Sequence, residues 1–335
     1  MENNFAKIFE ALKKSGYKIF GPKEQDGELH ILELTDPPPN PPPDDRREEG
    51  AMRPWKYFFT PERETLLKFG KNIEVPKSLQ EKKALFGMSI FDCKAVELYD
   101  KVFADDLYYQ QNRKNIFIIG FSSVPLAKIK TPFFEVDLAS AVFDIFMEGG
   151  KFYARGERAE KILKSAGLKY KVIPYKKQGA YKKVLAIKKA MEAGKDSKMW
   201  DELGEICLAC GKCTIACPTC YCFDLESSIG PDHSSLKLRT TGCQTERCSG
   251  NCFYDDFTRI AGPPAKAGEP SGHKFLNNPK EKIFFWYYHK FVRIPHGYDL
   301  PGCTDCGRCT DVCPVGIDIR KNIERLLKES KKNAK

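Results

Sequence analysis

No run in this 335-residue chain approaches the ~18 consecutive apolar residues of a membrane span, so no span is expected. Neither G-x-G-x-x-G nor a P-loop occurs, which leaves a nucleotide site without support. The first residues lack the pattern of a signal peptide, and the expected setting is cytoplasmic and reducing, where disulfides do not persist. The formal net charge is +10, yet Lys and Arg are interleaved with Asp and Glu. A nucleic-acid surface would need a basic stripe carrying aromatic platforms; without one, no nucleic-acid partner is expected. Histidine is scarce, at five residues, and His233, His273, His289 and His296 read as ordinary hydrogen-bonding side chains.

Cysteine is what the chain has in quantity, with fourteen residues. Cys207, Cys210, Cys213 and Cys217, followed by Pro218, form C-x2-C-x2-C-x3-C-P. Cys303, Cys306, Cys309 and Cys313, followed by Pro314, repeat it. Two such runs are the signature of two [4Fe–4S] clusters, the fourth thiolate of each run serving the other run's cluster. The expected ligand sets are Cys207, Cys210, Cys213 and Cys313 for the first, and Cys303, Cys306, Cys309 and Cys217 for the second. The proline, lacking an N–H, ends each loop. Zinc would use paired C-x2-C or Cys/His knuckles instead.

The length allows two domains, here read as residues 1–195 and 196–335. In the first, residues 5–12 carry apolar side chains at helical spacing, and Gly16 closes that helix. Residues 29–34 read as a strand, and the proline-rich residues 36–49 as an extended polyproline loop. Thr60 and Pro61 look like the N-cap and first turn of a helix. Residues 84–90 and 115–121 are buried strands around a helix, hence a parallel crossover. Residues 137–147 read as a helix, 151–154 as a strand and 158–166 as a helix. The expected class is therefore an α/β (or α+β) N-terminal domain with a docking or structural role. Cys93, at a strand-to-helix junction, is either a stabilised thiolate or a small buried apolar side chain.

The second region should be a mainly α-helical dicluster domain. Residues 200–206 read as a short helix delivering Cys207, and residues 317–328 as an amphipathic helix. Between the motifs lies an 85-residue insertion, 218–302, longer than a small β-rich ferredoxin would use. It holds Cys220, Cys222, Cys243, Cys248 and Cys252. Four of these could hold a third metal site; alternatively Cys220 and Cys222 pack beside the first cluster and the rest are structural thiols.

Several segments resemble a known family. CPTCYCFD (residues 217–224), CFYDDFTRIAG (252–262), HKF (289–291) and CTDCGRCTDVCPVGIDI (303–319) are similar to the iron–sulfur beta subunit of soluble NAD(P)-linked nickel–iron hydrogenases, the sulfhydrogenases, and to the corresponding iron–sulfur component of anaerobic sulfite reductase. KYFFTPERETLLKF (56–69) and GMSIFDCKAVELYDKVF (87–103) extend the likeness into the N-terminal half. The resemblance implies two [4Fe–4S] clusters in an anaerobic oxidoreductase. It also implies two partners: a flavoprotein that oxidises NAD(P)H, and a catalytic hydrogenase or sulfite/sulfur reductase subunit. Many relatives carry further cysteines just after the strand at 115–121, where FSSVPLAKIKTPFF has none, and Cys243 and Cys248 read as additions. The expected function is electron transfer without catalysis by this chain. A second reading has the chain itself reduce sulfur, sulfite or a disulfide at the cysteine-rich third site. A third has the metal merely pin the fold.

Overall fold

The computed structural model describes residues 4–37, 54–69, 72–76, 81–176, 182–228, 243–260 and 272–333. Most of the expected polyproline loop (residues 38–49) and His233 lie outside the described residues.

Helix α1 (Asn4–Lys14) buries Ile8, Phe9 and Leu12 along one stripe and ends before Gly16, whose φ of 78° suits a residue without a Cβ. A hairpin follows, β1 (Lys18–Gln25) and β2 (Glu28–Glu33). The short helix α2 (Lys56–Phe59) stops at Thr60, whose N–H bonds the Lys56 carbonyl at 2.9 Å. From there the chain is extended, as β3 (Arg63–Phe69) and β4 (Ile73–Glu74). The helix expected to begin at Thr60 and Pro61 is therefore absent: Thr60 closes a helix rather than opening one. The local cap signal loses because residues 63–69 find their hydrogen bonds on a strand some 180 residues further along the chain, as described below.

The crossover expected around residue 100 is present. Strand β5 (Lys83–Met88) leads into α3 (Ile90–Val102), whose Ser89 N-cap oxygen accepts from the Asp92 N–H at 3.2 Å. Helix α4 (Leu107–Lys114) returns the chain to β6 (Ile116–Ser122), parallel to β5. Then come β7 (Ile145–Glu148), β8 (Lys151–Ala154), α5 (Glu157–Ser165) and β9 (Lys171–Val172). The helix expected over residues 137–147 is instead a single 3-10 turn, Leu138–Ser140, followed by β7. A short apolar run reads alike as helix or strand. Here Asp144 settles it: its N–H bonds the Ile118 carbonyl at 2.9 Å and its carboxylate accepts from the Ile118 N–H at 2.8 Å, laying the run against β6.

The main sheet has the order β2-β1-β5-β6-β7-β8-β9. Its strands β1, β5, β6 and β7 are parallel; β2 and β8 are antiparallel to their neighbours β1 and β7. Pro22 is tolerated because β1 pairs with β5 only through residues 18–20. Helices α1 and α5 cover one face over Phe117, Ile119 and Ile145. The other face, with Leu85 and Phe146, continues into the second core.

The rest of the described chain includes α6 (Lys182–Ala193), α7 (Met199–Ile206), α8 (Lys212–Ala216), β10 (Phe223–Ser228), β11 (Cys243–Ser249), α9 (Pro279–Tyr288), α10 (Ile294–Tyr298), α11 (Arg308–Asp311) and α12 (Ile319–Asn333). Helices surround the two cysteine runs, but the insertion also contributes β strands. Strands β10 and β11 join β3 and β4 in an antiparallel sheet of order β10-β11-β3-β4. One packed core draws Trp55, Phe91 and Phe146 together with Trp200, Tyr287 and Ile323. Burying that much aromatic surface fixes the cysteine loops against α3 and the main sheet.

Candidate metal centre

The two cysteine loops adopt the same unusual backbone. Ala209 and Asp305, each two residues after the first cysteine, have φ of 50° and 61°. Gly211 and Gly307, each after the second cysteine, have φ of 74° and 84°. Left-handed backbone at a non-glycine residue is costly and persists where a function needs it. Its effect is to turn backbone N–H groups inward: Ala209 donates to the Cys207 sulfur and Asp305 to the Cys303 sulfur, both at 3.4 Å. The Thr219 and Ile317 N–H groups do the same for Cys217 and Cys313, at 3.4 and 3.3 Å. These donors suit thiolates that carry negative charge onto iron.

The cysteines of the two motifs lie close to one another. Cys207, Cys210, Cys213, Cys309 and Cys313 line one cavity of about 460 Å³, open mouth included, with Trp286 and Ile317 on its wall. Burial pushes the Cys207 thiol up, and neighbouring Cys313 and Cys210 add to this. Burial likewise pushes Cys309 well up, with Cys303, Cys306 and Cys217 pressing in the same direction. Each fourth cysteine thus sits near the other motif. Among the described residues no three Cys, His, Asp or Glu side chains close on a point as they would around one ion. The donor set, the N–H···S bonds and the proximity of each fourth cysteine to the other motif all fit [4Fe–4S] clusters.

Buried charge distinguishes the two motifs. Lys290, 2% exposed, donates to the Cys217 sulfur at 2.9 Å and to the Thr219 hydroxyl at 3.0 Å. Burial alone would raise the Cys217 thiol; donation by Cys220, Lys290 and Thr219 wins and pulls it well below the usual range. Lys56 is also buried, with its ammonium on the carbonyls of Thr214 and Cys220 at 3.0 and 3.1 Å, and burial lowers its pKa. Arg308, next to Cys309, forms a two-pronged pair with buried Asp92 at 2.7 Å on each arm. Lys290, Lys56 and Asp92 lie outside the cysteine motifs, while Arg308 is a spacer residue of the second. One signal was available in the sequence: Lys290 stands in the run IFFWYYHKFV, and a lone cation among aromatics is buried with a partner or not buried at all.

The insertion cysteines divide. Cys220 bonds Cys217, and burial pushes Cys252 up to about 12, with Cys222 and Cys217 close by. These thiols lie beside the two cysteine runs. Cys248 instead lies on β11 beside Glu226, Arg63 and Glu246. Cys243 opens β11 opposite Phe69, five residues from Cys248 and so roughly 17 Å away along an extended strand. The structure therefore brings Cys220, Cys222 and Cys252 together, while the Cys248 thiol meets Glu226 on the neighbouring strand. Cys93 is fully buried with its thiol pushed well up by burial, and it packs as a small apolar side chain against Gly120. His289 is no ligand-like group either: its Nε2 meets the Tyr221 hydroxyl at 3.2 Å, and burial lowers its pKa to about 4.

Residues 206–317 match the family model described as a 4Fe-4S dicluster domain. The matched stretch contains both cysteine runs and supports [4Fe–4S] clusters. Across 96% of its length the chain is 26% identical to sulfhydrogenase 2 subunit beta of Pyrococcus furiosus, of which it covers 96%. The resemblance to a hydrogenase-related iron–sulfur beta subunit holds from end to end. No solved structure matches the chain. Among the described residues, no helix is long and apolar enough to cross a membrane.

Proposed function

We propose that this chain is the electron-transfer subunit of a larger oxidoreductase and holds two [4Fe–4S] clusters. Cys207, Cys210, Cys213 and Cys313 hold the first, and Cys303, Cys306, Cys309 and Cys217 the second. The observation that supports the reading is the proximity of each fourth thiol to the other motif, Cys313 beside Cys207 and Cys217 beside Cys309. When bound, such clusters take up and release single electrons. The chain supplies thiolates, N–H donors and a dry surround for the second set, while Cys210 of the first set is exposed. Around it Ile206, Leu208 and Val315 present apolar surface, which suits a redox partner docked there.

The relative is a beta subunit of a sulfhydrogenase. The resemblance read in the sequence adds the partners: a flavoprotein that oxidises NAD(P)H and a catalytic hydrogenase or sulfite/sulfur reductase subunit. Residues 1–195 act as the docking part. A second reading has one observation in its favour: a cavity of about 300 Å³ reaches Cys220 and Cys222, beside Lys56, Tyr57 and Arg247. Direct reduction of sulfur, sulfite or a disulfide there would need a nucleophilic thiolate. The Cys217 bond holds Cys220 well above an ordinary thiol, and burial raises Cys222, so electron relay is preferred.

Anaerobic analysis of the full chain should give about eight iron and eight sulfide, or about twelve of each with a third cluster. The iron-loaded chain should accept electrons from a chemical reductant yet turn over neither hydrogen, NAD(P)H, sulfite nor polysulfide alone. A zinc-loaded, iron-free protein would sink the reading, and sustained turnover by the chain alone would move it to the catalytic one.

A further inference from the structure

Lys290 lies in His289–Arg293, where the helix continuing from α9 opens into a π turn. Such turns are rare and concentrate at functional sites. The loop before Cys303 presses hard on this turn: a Cβ on Gly302 would stand 2.2 Å from the Lys290 carbonyl oxygen. The Gly302 carbonyl in turn accepts from the Lys290 ammonium at 3.3 Å and from the Thr219 hydroxyl at 2.8 Å. No carboxylate of the described residues pairs with this ammonium; its partners are a sulfur, a hydroxyl and a carbonyl. A buried charge without a counter-charge costs several kcal/mol. The counter-charge this pocket is shaped for is the Cys217 thiolate together with the cluster it holds.

We infer that Lys290 sets the reduction potential of the second cluster, holding it above that of the first, so that an electron entering the chain rests on the second. The inference rests on the dicluster reading above. Reduction adds negative charge to a cluster, and a fixed cation on a ligand sulfur, shielded from water, favours the reduced form. Hydrogen bonds to the sulfurs and net local charge are the levers by which a protein tunes this potential. Lys290 also acts across space on Cys213 of the first set, but among the described residues no cation bonds a first-set sulfur directly. Lys282, the buried cation that acts on Cys207, is held by Asp255 at 2.9 Å and by the Phe253 carbonyl at 2.7 Å. Arg308, beside Cys309, is neutralised by Asp92. The direct ammonium–sulfur bond therefore favours the second set, and it falls on the residue that crosses between the two motifs.

The test uses the full chain, loaded anaerobically, as wild type, Lys290→Met, Lys290→Arg and Cys217→Ser. Iron well below eight per wild-type chain overturns the dicluster reading and this inference together. With iron near eight, a redox titration followed by electron paramagnetic resonance reads each cluster. In the wild type the clusters are expected to be reduced at different potentials, and Cys217→Ser should alter the signal of the one reduced first. In Lys290→Met the reduced-to-oxidised ratio of that cluster at fixed potential should fall at least tenfold, which is ~59 mV for one electron. The other cluster should change by less than about twofold, and Lys290→Arg, which keeps the charge, should retain most of the wild-type ratio. Unchanged ratios in an iron-replete Lys290→Met overturn the inference. If that variant sheds iron, the wild type decides: clusters reduced together, or Cys217→Ser acting on the one reduced later, overturn it.

Discussion

The loops at residues 207–217 and 303–313 follow one pattern, share left-handed positions and aim the same N–H groups at their first sulfurs. Their surroundings differ. In the first, Cys210 is exposed and Leu208 stands 64% in solvent. In the second, Cys303, Thr304, Asp305 and Arg308 are buried, and the loop is keyed into α3 through Asp92. Identical ligand chemistry thus sits once at a rim and once in a core. What separates the two sites is not the motif but which side chains from elsewhere close over it. Solvent access and local charge are what tune an iron–sulfur site, so the loops are equipped for different tasks.

The largest way to break this contrast is to unlock the buried loop. Arg308→Met leaves the Asp92 carboxylate, 1% exposed at its side chain, without its partner. Removing one member of a buried ion pair costs about 3–5 kcal/mol. Denaturant unfolding of the iron-loaded chain should show that loss; a change under about 1 kcal/mol would mean the second loop is not held in this way.

Metal removal gives an intermediate and more direct comparison. A chelator added to the oxidised, fully loaded chain should strip iron in two phases, the first from the set containing Cys210 and the second from the set around Cys303. Loss of both at one rate would show that the buried surround does not protect the second set.

The smallest effect is expected from a pair with the same chemistry in the opposite environment. Arg325 on α12 grips Glu202 on α7 with both arms, as Arg308 grips Asp92, but the side chains are 40% and 57% exposed. Exposed pairs gain little because water solvates the separated charges nearly as well. Glu202→Gln should leave the unfolding midpoint where it was. A loss as large as that of Arg308→Met would make geometry, not burial, the deciding factor.

By itself the sequence determined the repeated cysteine pattern, because a cysteine loop is a local object. Eight cysteines at fixed spacing, glycines at 211 and 307 and a proline after each fourth cysteine can be read within a dozen residues. It also determined the β5–α3–β6 crossover, where buried apolar strands flank a capped helix. It did not show that residues 63–69 are a strand, since their partner β11 lies some 180 residues away and the Thr60–Pro61 signal pointed locally to a helix. Nor did it separate β7 from a helix, because a four-residue apolar strand has no period of its own. Tertiary structure alone decided which cysteine loop faces solvent, which insertion thiols gather beside the clusters, and that Lys290 reaches a sulfur 73 residues earlier in the chain. These are questions of burial and charge, and both depend on which distant segments pack together, which spacing along a chain does not record.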